Sequence, residues 1–221
     1  MNTEQARFNM IEQQIRPWEV LDQGVLSLLA VVRREDFVPP ACRALAFVDT
    51  EIPLADGGRD GQVMLAPKVE ARLLQALAVA RHERVLEIGA GSGFMAALLA
   101  HRSQQVTSLE IQPALAAMAT ANLRRAGITN ASAREADGSR GLPGEAPFDA
   151  IVLSGSVAEV PQFLLDQLKP AGRLIAIVGQ EPVMRAMLFT CVAPRQFKRV
   201  ELFDTVAPRL KGFAEPPAFR F

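Results

Sequence analysis

Cysteine is scarce: Cys42 and Cys191 are the only two in 221 residues. Their separation fits no metal-ligand spacing, and one pair cannot staple a chain of this length, so neither a disulfide framework nor a metal site is expected. Reduced, buried thiols in a cytosolic protein fit best. Net charge is absent too, with 24 basic residues against 24 acidic ones. A balanced chain has no electrostatic reason to bind nucleic acid or a membrane surface. The one basic cluster, Arg195, Lys198 and Arg199, reads as a solvated face flanking an apolar strand. No apolar run approaches the ~18 residues of a membrane-spanning helix. The opening residues, MNTEQARFNM, lack the charged-then-apolar pattern of a signal peptide. The expectation is a soluble, cytoplasmic protein. Internal repeats and low-complexity segments are missing. So is a G-x-S-x-G elbow: Gly91-Ser92-Gly93 has the wrong flanks, and a serine hydrolase is not expected.

What is present is enough apolar side chain, 49% of residues, for a full core in one domain. Leu21, Val25, Leu28, Leu29 and Val32 form the stripe of an amphipathic helix. Pro39 and Pro40 stop helical structure. A loop-rich stretch over 47–67 follows, with Pro53, Gly57, Gly58 and Gly61. A helix then starts near Pro67, with Val69, Leu73 and Leu77 on one face. After His82 the pattern alternates. Strands are predicted at 84–88, 106–110, 148–153 and 173–178, with helices at 94–100, 114–125 and 160–168 between them. Such alternation implies βαβ units and a mostly parallel, doubly wound sheet. A strand pair, 199–202 with 189–192, and an irregular end at 215–221 close the chain.

In such a sheet ligands bind at the carboxyl ends of the strands where the winding reverses, so the first βα turn is the place to look. It reads Glu87-Ile88-Gly89-Ala90-Gly91-Ser92-Gly93. A dinucleotide needs G-x-G-x-x-G with its pyrophosphate on the following helix. Here the last position of that pattern is Phe94, and the third glycine comes one residue early. Glu87 puts a carboxylate close to where a pyrophosphate would sit. S-adenosylmethionine has no phosphate and carries an ammonium and a sulfonium, so a carboxylate there is favourable. Glu110 ends the second strand about twenty residues on, where an acid accepts from ribose hydroxyls; the bland alternative is a solvated strand end. Asp137 accepts from an adenine amino group or shapes a turn. His82 and His101 read as surface or capping groups, Trp18 as a packing anchor, and Met64 and Met95 as core rather than donor-site residues.

VLEIGAGSG (85–93), Glu110, ADG (136–138), PFDAIVL (147–153) and LKPAGRL (168–174), in this order, resemble the class I S-adenosylmethionine-dependent methyltransferases. More narrowly, VVRREDFVPP (31–40), AFVDTEIPL (46–54), SGSVAEVP (154–161) and VAPRL (206–210) resemble the protein-L-isoaspartate O-methyltransferases over nearly the whole chain. The resemblance implies a Rossmann-like class I fold in one domain over 1–221. Residues 1–80 would form a helical and loop extension contributing to the substrate site, and 81–221 the donor-binding core. It implies S-adenosylmethionine as cofactor and S-adenosylhomocysteine as product. Donor contacts would come from Glu87, Gly89, Ala90, Gly91, Gly93, Glu110, Ile111, Asp137, Gly138 and Ser154. The partner would be a protein or peptide with isoaspartyl residues, methylated on a carboxylate.

One segment departs from the family. Where its members carry Gly-Gln-Thr-Ile-Ser-Gln-Pro, this chain has Gly61-Gln62-Val63-Met64-Leu65-Ala66-Pro67. Leu65 stands at the serine assigned to the active site and has no hydrogen-bonding side chain. A carboxylate facing Val63 and Leu65 would be poorly solvated. A same-fold methyltransferase with a different, unidentified acceptor, or a non-catalytic S-adenosylmethionine-binding protein, are therefore the competing readings. A nicotinamide dehydrogenase is disfavoured by the misplaced glycine.

Overall fold

The structure is a computed structural model and describes residues 2–54 and 61–215. Gly57 and Gly58, and the expected irregular end beyond Glu215, lie outside those residues. Helix α1 (Thr3–Met10), which the sequence pattern did not reveal, is capped by Asn2 and continues into a wider turn through Ile15. Helix α2 (Gln23–Val31) carries the expected stripe, but Leu21 lies outside it and is exposed. The Asp22 side chain caps the helix by accepting from the Val25 amide at 2.9 Å, which fixes its start after Leu21. Pro40 does not end helical structure. It opens a 3₁₀ turn over Pro40–Leu45, because a proline at the first position supplies the required φ. Inside the expected loop, β1 (Ile52–Pro53) pairs antiparallel with β2 (Val63–Met64). Helix α3 (Pro67–Leu77) begins at Pro67 as predicted and buries Val69, Leu73 and Leu77.

The remainder is the alternating core. Strand β3 (Arg84–Ile88), helix α4 (Phe94–Ala100), strand β4 (Gln105–Glu110), helix α5 (Pro113–Arg125), strands β5 (Ala131–Glu135) and β6 (Phe148–Val157), helix α6 (Gln162–Leu165) and strands β7 (Leu168–Gln180), β8 (Val183–Ala193) and β9 (Gln196–Asp204) follow in turn. The sheet order is β5-β4-β3-β6-β7-β8-β9. Pairs from β5 to β7 are parallel; β7-β8 and β8-β9 are antiparallel. The predicted pairing of 189–192 with 199–202 is present as part of β8 and β9. β5 was missed because ASARE has little β-branched or aromatic character. The helix expected over 160–168 is only α6. The Phe148 amide donates to the Gln167 carbonyl at 2.8 Å and draws the chain into the sheet, so Leu168 is already strand. Cys191 is buried and Cys42 half-buried. Trp18 is not a buried anchor: it is 41% exposed, with the Lys68 ammonium 3.8 Å from its ring centre. Among the described residues no helix is long and apolar enough to cross a membrane.

The extension is fastened to the sheet by Arg173 of β7. Its Nε donates to the Leu77 carbonyl at 2.6 Å and its Nη2 to the Ala78 carbonyl at 2.7 Å, while both terminal nitrogens reach the Glu83 carboxylate at 2.6 and 2.8 Å. Removing the guanidinium leaves the mostly buried Glu83 carboxylate without a cation, held only by the Ala80 amide, and two carbonyls without their donor. Arg173→Met is expected to lower unfolding free energy by about 3 kcal/mol, measured by urea denaturation.

Candidate functional site

β4 lies on one side of β3 and β6 on the other, so the connections leave the carboxyl end of β3 in opposite directions and open a crevice. The cleft there has ≈ 640 Å³ of unfilled space, its open mouth included. Its floor is Ile88, Gly89 and Gly91. One side is Leu109, Glu110, Ile111 and Leu115; Gly138, Ser154 and Gly155 close the end. The facing wall comes from the extension: Leu54, Gly61, Gln62, Val63 and Leu65. A strap after β9, Pro208 to Lys211, completes it.

Each predicted residue has a definite place. The Gly89 and Ala90 amides both donate to the Leu109 carbonyl, at 2.8 and 3.2 Å, which pins the turn to β4. Gly91 has φ +51°, and its amide donates to Glu110 Oε2 at 2.9 Å; the Gln112 amide donates to Oε1 at 3.0 Å. Each carboxylate oxygen so retains a lone pair for a vicinal diol. A Cβ at Gly91 would sit 3.0 Å from Leu54 Cδ1, so the turn must be bare for the extension to close against it. Ile111, Gly138, Ser154 and Leu65 also line the cleft.

Four predicted residues do not. Gly93 (φ +82°) packs under α5, where a Cβ would come 3.2 Å from Ala119 backbone atoms; its smallness serves helix packing. Asp137 accepts from the Ser139 amide at 2.9 Å, which shapes the turn there. Ala90 and Glu87 line a smaller cavity beneath the turn, shared with Glu70 and Leu65. Glu87 is fully buried and bridges the three central strands, accepting from Ser108 Oγ at 2.6 Å and Ser154 Oγ at 2.7 Å. Among the described residues no cation pairs with it. Burial, aided by the nearby Glu70 and Glu110 carboxylates, pushes it up to about 8. Burial thus favours the protonated form of Glu87, which sits beneath the turn rather than on the cleft wall.

Sequence reasoning missed the strap and Arg34. The Arg34 guanidinium is 1% exposed. It donates to the Ala46 carbonyl at 3.1 Å and the Leu65 carbonyl at 2.7 Å, pairs with Glu70, and lies 5.1 Å from the Phe94 ring centre. It thus joins the backbone of Leu65 to the helix that follows the glycine turn. Burial pushes Glu70 up to about 7, with Arg34 pulling the other way. The strap carries little regular structure, so no periodic pattern marks it. His82 and His101 are exposed and lie off the cleft, and the basic cluster at 195–199 is solvent-facing, as expected.

A family model described as protein-L-isoaspartate(D-aspartate) O-methyltransferase matches residues 5–199. A protein-L-isoaspartate O-methyltransferase of Methanoculleus marisnigri is 42% identical over 173 residues, 78% of this chain and 77% of that one. One from Myxococcus xanthus is 45% identical over 160 residues, 72% and 74% of the two chains. Among solved structures, a protein-L-isoaspartate O-methyltransferase superposes with a TM-score of 0.79 at 25% identity, covering 93% of this chain and 66% of that longer one. A Plasmodium falciparum structure described as a protein-L-isoaspartate O-methyltransferase in complex with S-adenosylhomocysteine gives 0.79 at 21% identity, covering 96% and 99%; it shows the shared fold.

Glu87 provides a test of the buried site. Its carboxyl is raised when folded, so its contribution to stability is fully present below about pH 4.5 and is lost as pH rises through about 8. Unfolding free energy is expected to fall between about pH 5 and pH 8.5, by up to about 1 kcal/mol per unit from this group. Glu87→Gln should flatten that fall in urea titrations across the range.

Proposed function

The chain belongs to the protein-L-isoaspartate(D-aspartate) O-methyltransferase family and is an S-adenosylmethionine-dependent methyltransferase; from that premise we propose that it methylates a free carboxylate of isoaspartyl residues in protein segments that reach its cleft. One observation carries the reading. The cleft has a bare glycine floor with an amide-fixed Glu110 on one side, and the extension segment 61–65 faces it across the opening. The donor fits this geometry. We assign Glu110 to the ribose hydroxyls. Gly89 and Gly91 form backbone that a ligand can lie against, and Ile88, Ile111 and Gly138 line the space for a flat ring. We read the chain as a donor-binding core, 81–221, and an extension, 1–80, that supplies the acceptor wall; the place of residues 61–65 on the cleft supports that division.

When bound, S-adenosylmethionine supplies an electrophilic methyl group on a sulfonium. The protein then needs no general base, because a carboxylate acceptor is ionised at neutral pH. What remains for the side chains is positioning and exclusion of water. Leu54, Val63, Leu65 and Leu210 give the cleft apolar walls suited to the second task. The first is harder than in the family pattern, since Leu65 cannot hydrogen-bond the acceptor.

A second reading, another acceptor for the same fold, rests on Val63 and Leu65. A methyl-transfer assay with isoaspartyl peptide and labelled donor separates the two. We expect measurable but low wild-type turnover, and about a tenfold gain in kcat/KM for Leu65→Ser, the worth of one hydrogen bond to a charged group. No transfer to the peptide, with donor binding intact by calorimetry, would replace the isoaspartyl reading. Glu110→Ala should weaken the donor's Kd about tenfold or more, because it removes the carboxylate and frees the Gly91 amide.

A further inference from the structure

The strap brings two cations, Arg209 and Lys211, to a cleft whose opposite wall has lost its hydroxyl. The sheet tells which side Arg209 occupies. Along β6, where the pairing with β7 shifts register between Val152 and Ser156, Leu153 and Val157 flank the buried Ser156 and pack in the cluster that Leu210 joins, while Ala150 and Val152 pack with Met64 and Leu65. Arg209 Nη1 donates to Ser156 Oγ at 3.2 Å, and Ser156 in turn donates to the Ala207 carbonyl at 2.7 Å. The next residue, Leu210, turns to the other face and covers Gly89 and Gly155, where a Cβ would come 2.7 and 2.9 Å from its Cδ2. The guanidinium is therefore held on the Leu65 face of the sheet. The strap also meets the acceptor wall directly, with Pro208 3.5 Å from where a Gly61 Cβ would lie.

We propose that Arg209 anchors the carboxylate of the acceptor, supplying from the strap the contact that Leu65 cannot make from the extension. The proposal rests on the isoaspartyl reading above. The residue is built for the role. Its hydrogen bond to the fully buried Ser156 fixes the head group, and a guanidinium has five donors, of which these contacts use few. Its ionic partner, Glu215 at 2.9 Å, is 51% exposed, so the pair is weak and a substrate carboxylate can compete for it. Lys211 on the same wall adds positive potential for an anionic peptide.

The test measures binding rather than turnover. An isoaspartyl peptide, and the same peptide with that carboxylate replaced by a carboxamide, are titrated calorimetrically onto protein saturated with S-adenosylhomocysteine. The wild type is expected to prefer the free carboxylate about tenfold or more, the scale of a charge-assisted hydrogen bond. Arg209→Ala should abolish that preference while leaving S-adenosylhomocysteine affinity and melting temperature in place. Arg209→Lys should restore part of it, keeping the charge without the fork. The wild-type preference should shrink as salt is raised. An undiminished preference in Arg209→Ala, or binding of neither peptide by the wild type, overturns the proposal. So does a parallel loss of S-adenosylhomocysteine affinity, which would put Arg209 on the cofactor's own carboxylate. Failure of the isoaspartyl reading shows separately, as peptide that binds through Arg209 but is not methylated.

Discussion

The hydrogen bond from the Gly91 amide to the Glu110 carboxylate joins the turn after β3 to the end of β4 at the reversal point of the sheet. Two other features of the site follow from it. The turn can approach β4 closely enough only if its residues are bare and free to take positive φ, as Gly89 and Gly91 do. The carboxylate, held by two amides, is fixed in direction before any ligand arrives, so no side-chain entropy remains to be lost on binding. A carboxylate on a mobile strand end would have the same charge and far less use.

The wall facing the glycine turn needs a comparable constraint, and Arg34 supplies it. A guanidinium removed from water is tolerated only when paired and hydrogen-bonded. Arg34 meets that requirement with Glu70 and the carbonyls of Ala46 and Leu65, while its flat face rests on Phe94. Each partner lies on a different part of the chain. Losing the position of any one would leave a buried charge short of a contact. The extension and the core are therefore placed with respect to each other by an electrostatic penalty for misplacement, as well as by apolar packing. Arg173 does the same at the opposite end of β3, through Glu83 and the end of α3.

How much was legible in the sequence follows from the range of the forces involved. Strands β3, β4, β6 and β7 and the glycine turn are written in local pattern and lie close to where that pattern puts them, whereas β5 has no such pattern. The residues that carry their own backbone signal, Gly89, Gly91 and Glu110, line the cleft. Glu87 lies beneath the turn instead. Its type and spacing suggested a ligand contact, but the face it points to depends on the pairing with Ser108 and Ser154, which is set by strands 21 and 67 residues away. The packing of Gly93 is hidden for the same reason, since its neighbour Ala119 comes from another helix. Arg34 and Arg209 lie in the segments VVRREDFVPP and VAPRL that carry the family resemblance, but nothing local marks either side chain as part of the site. An arginine in a loop reads as solvated until the tertiary fold surrounds it.

Leu65 and Arg209 together define a chemical trade-off. Transfer of a methyl cation equivalent from a sulfonium to a carboxylate starts from two opposite charges and ends with neither. Water stabilises the separated charges more than the dispersed charge of the transition state, so apolar walls such as Val63 and Leu65 favour the reaction once the acceptor is in place. The same walls make entry of a carboxylate costly. A hydroxyl in the wall eases entry but also stabilises the ground-state anion. Moving the polar contact to a guanidinium on the strap separates the two tasks: the carboxylate is drawn in by charge at the rim, while its reacting surroundings stay dry. The contact must then be moderate, since a carboxylate held too tightly is stabilised more before transfer than during it. A guanidinium already shared with Ser156 and with the exposed Glu215 has that moderate strength.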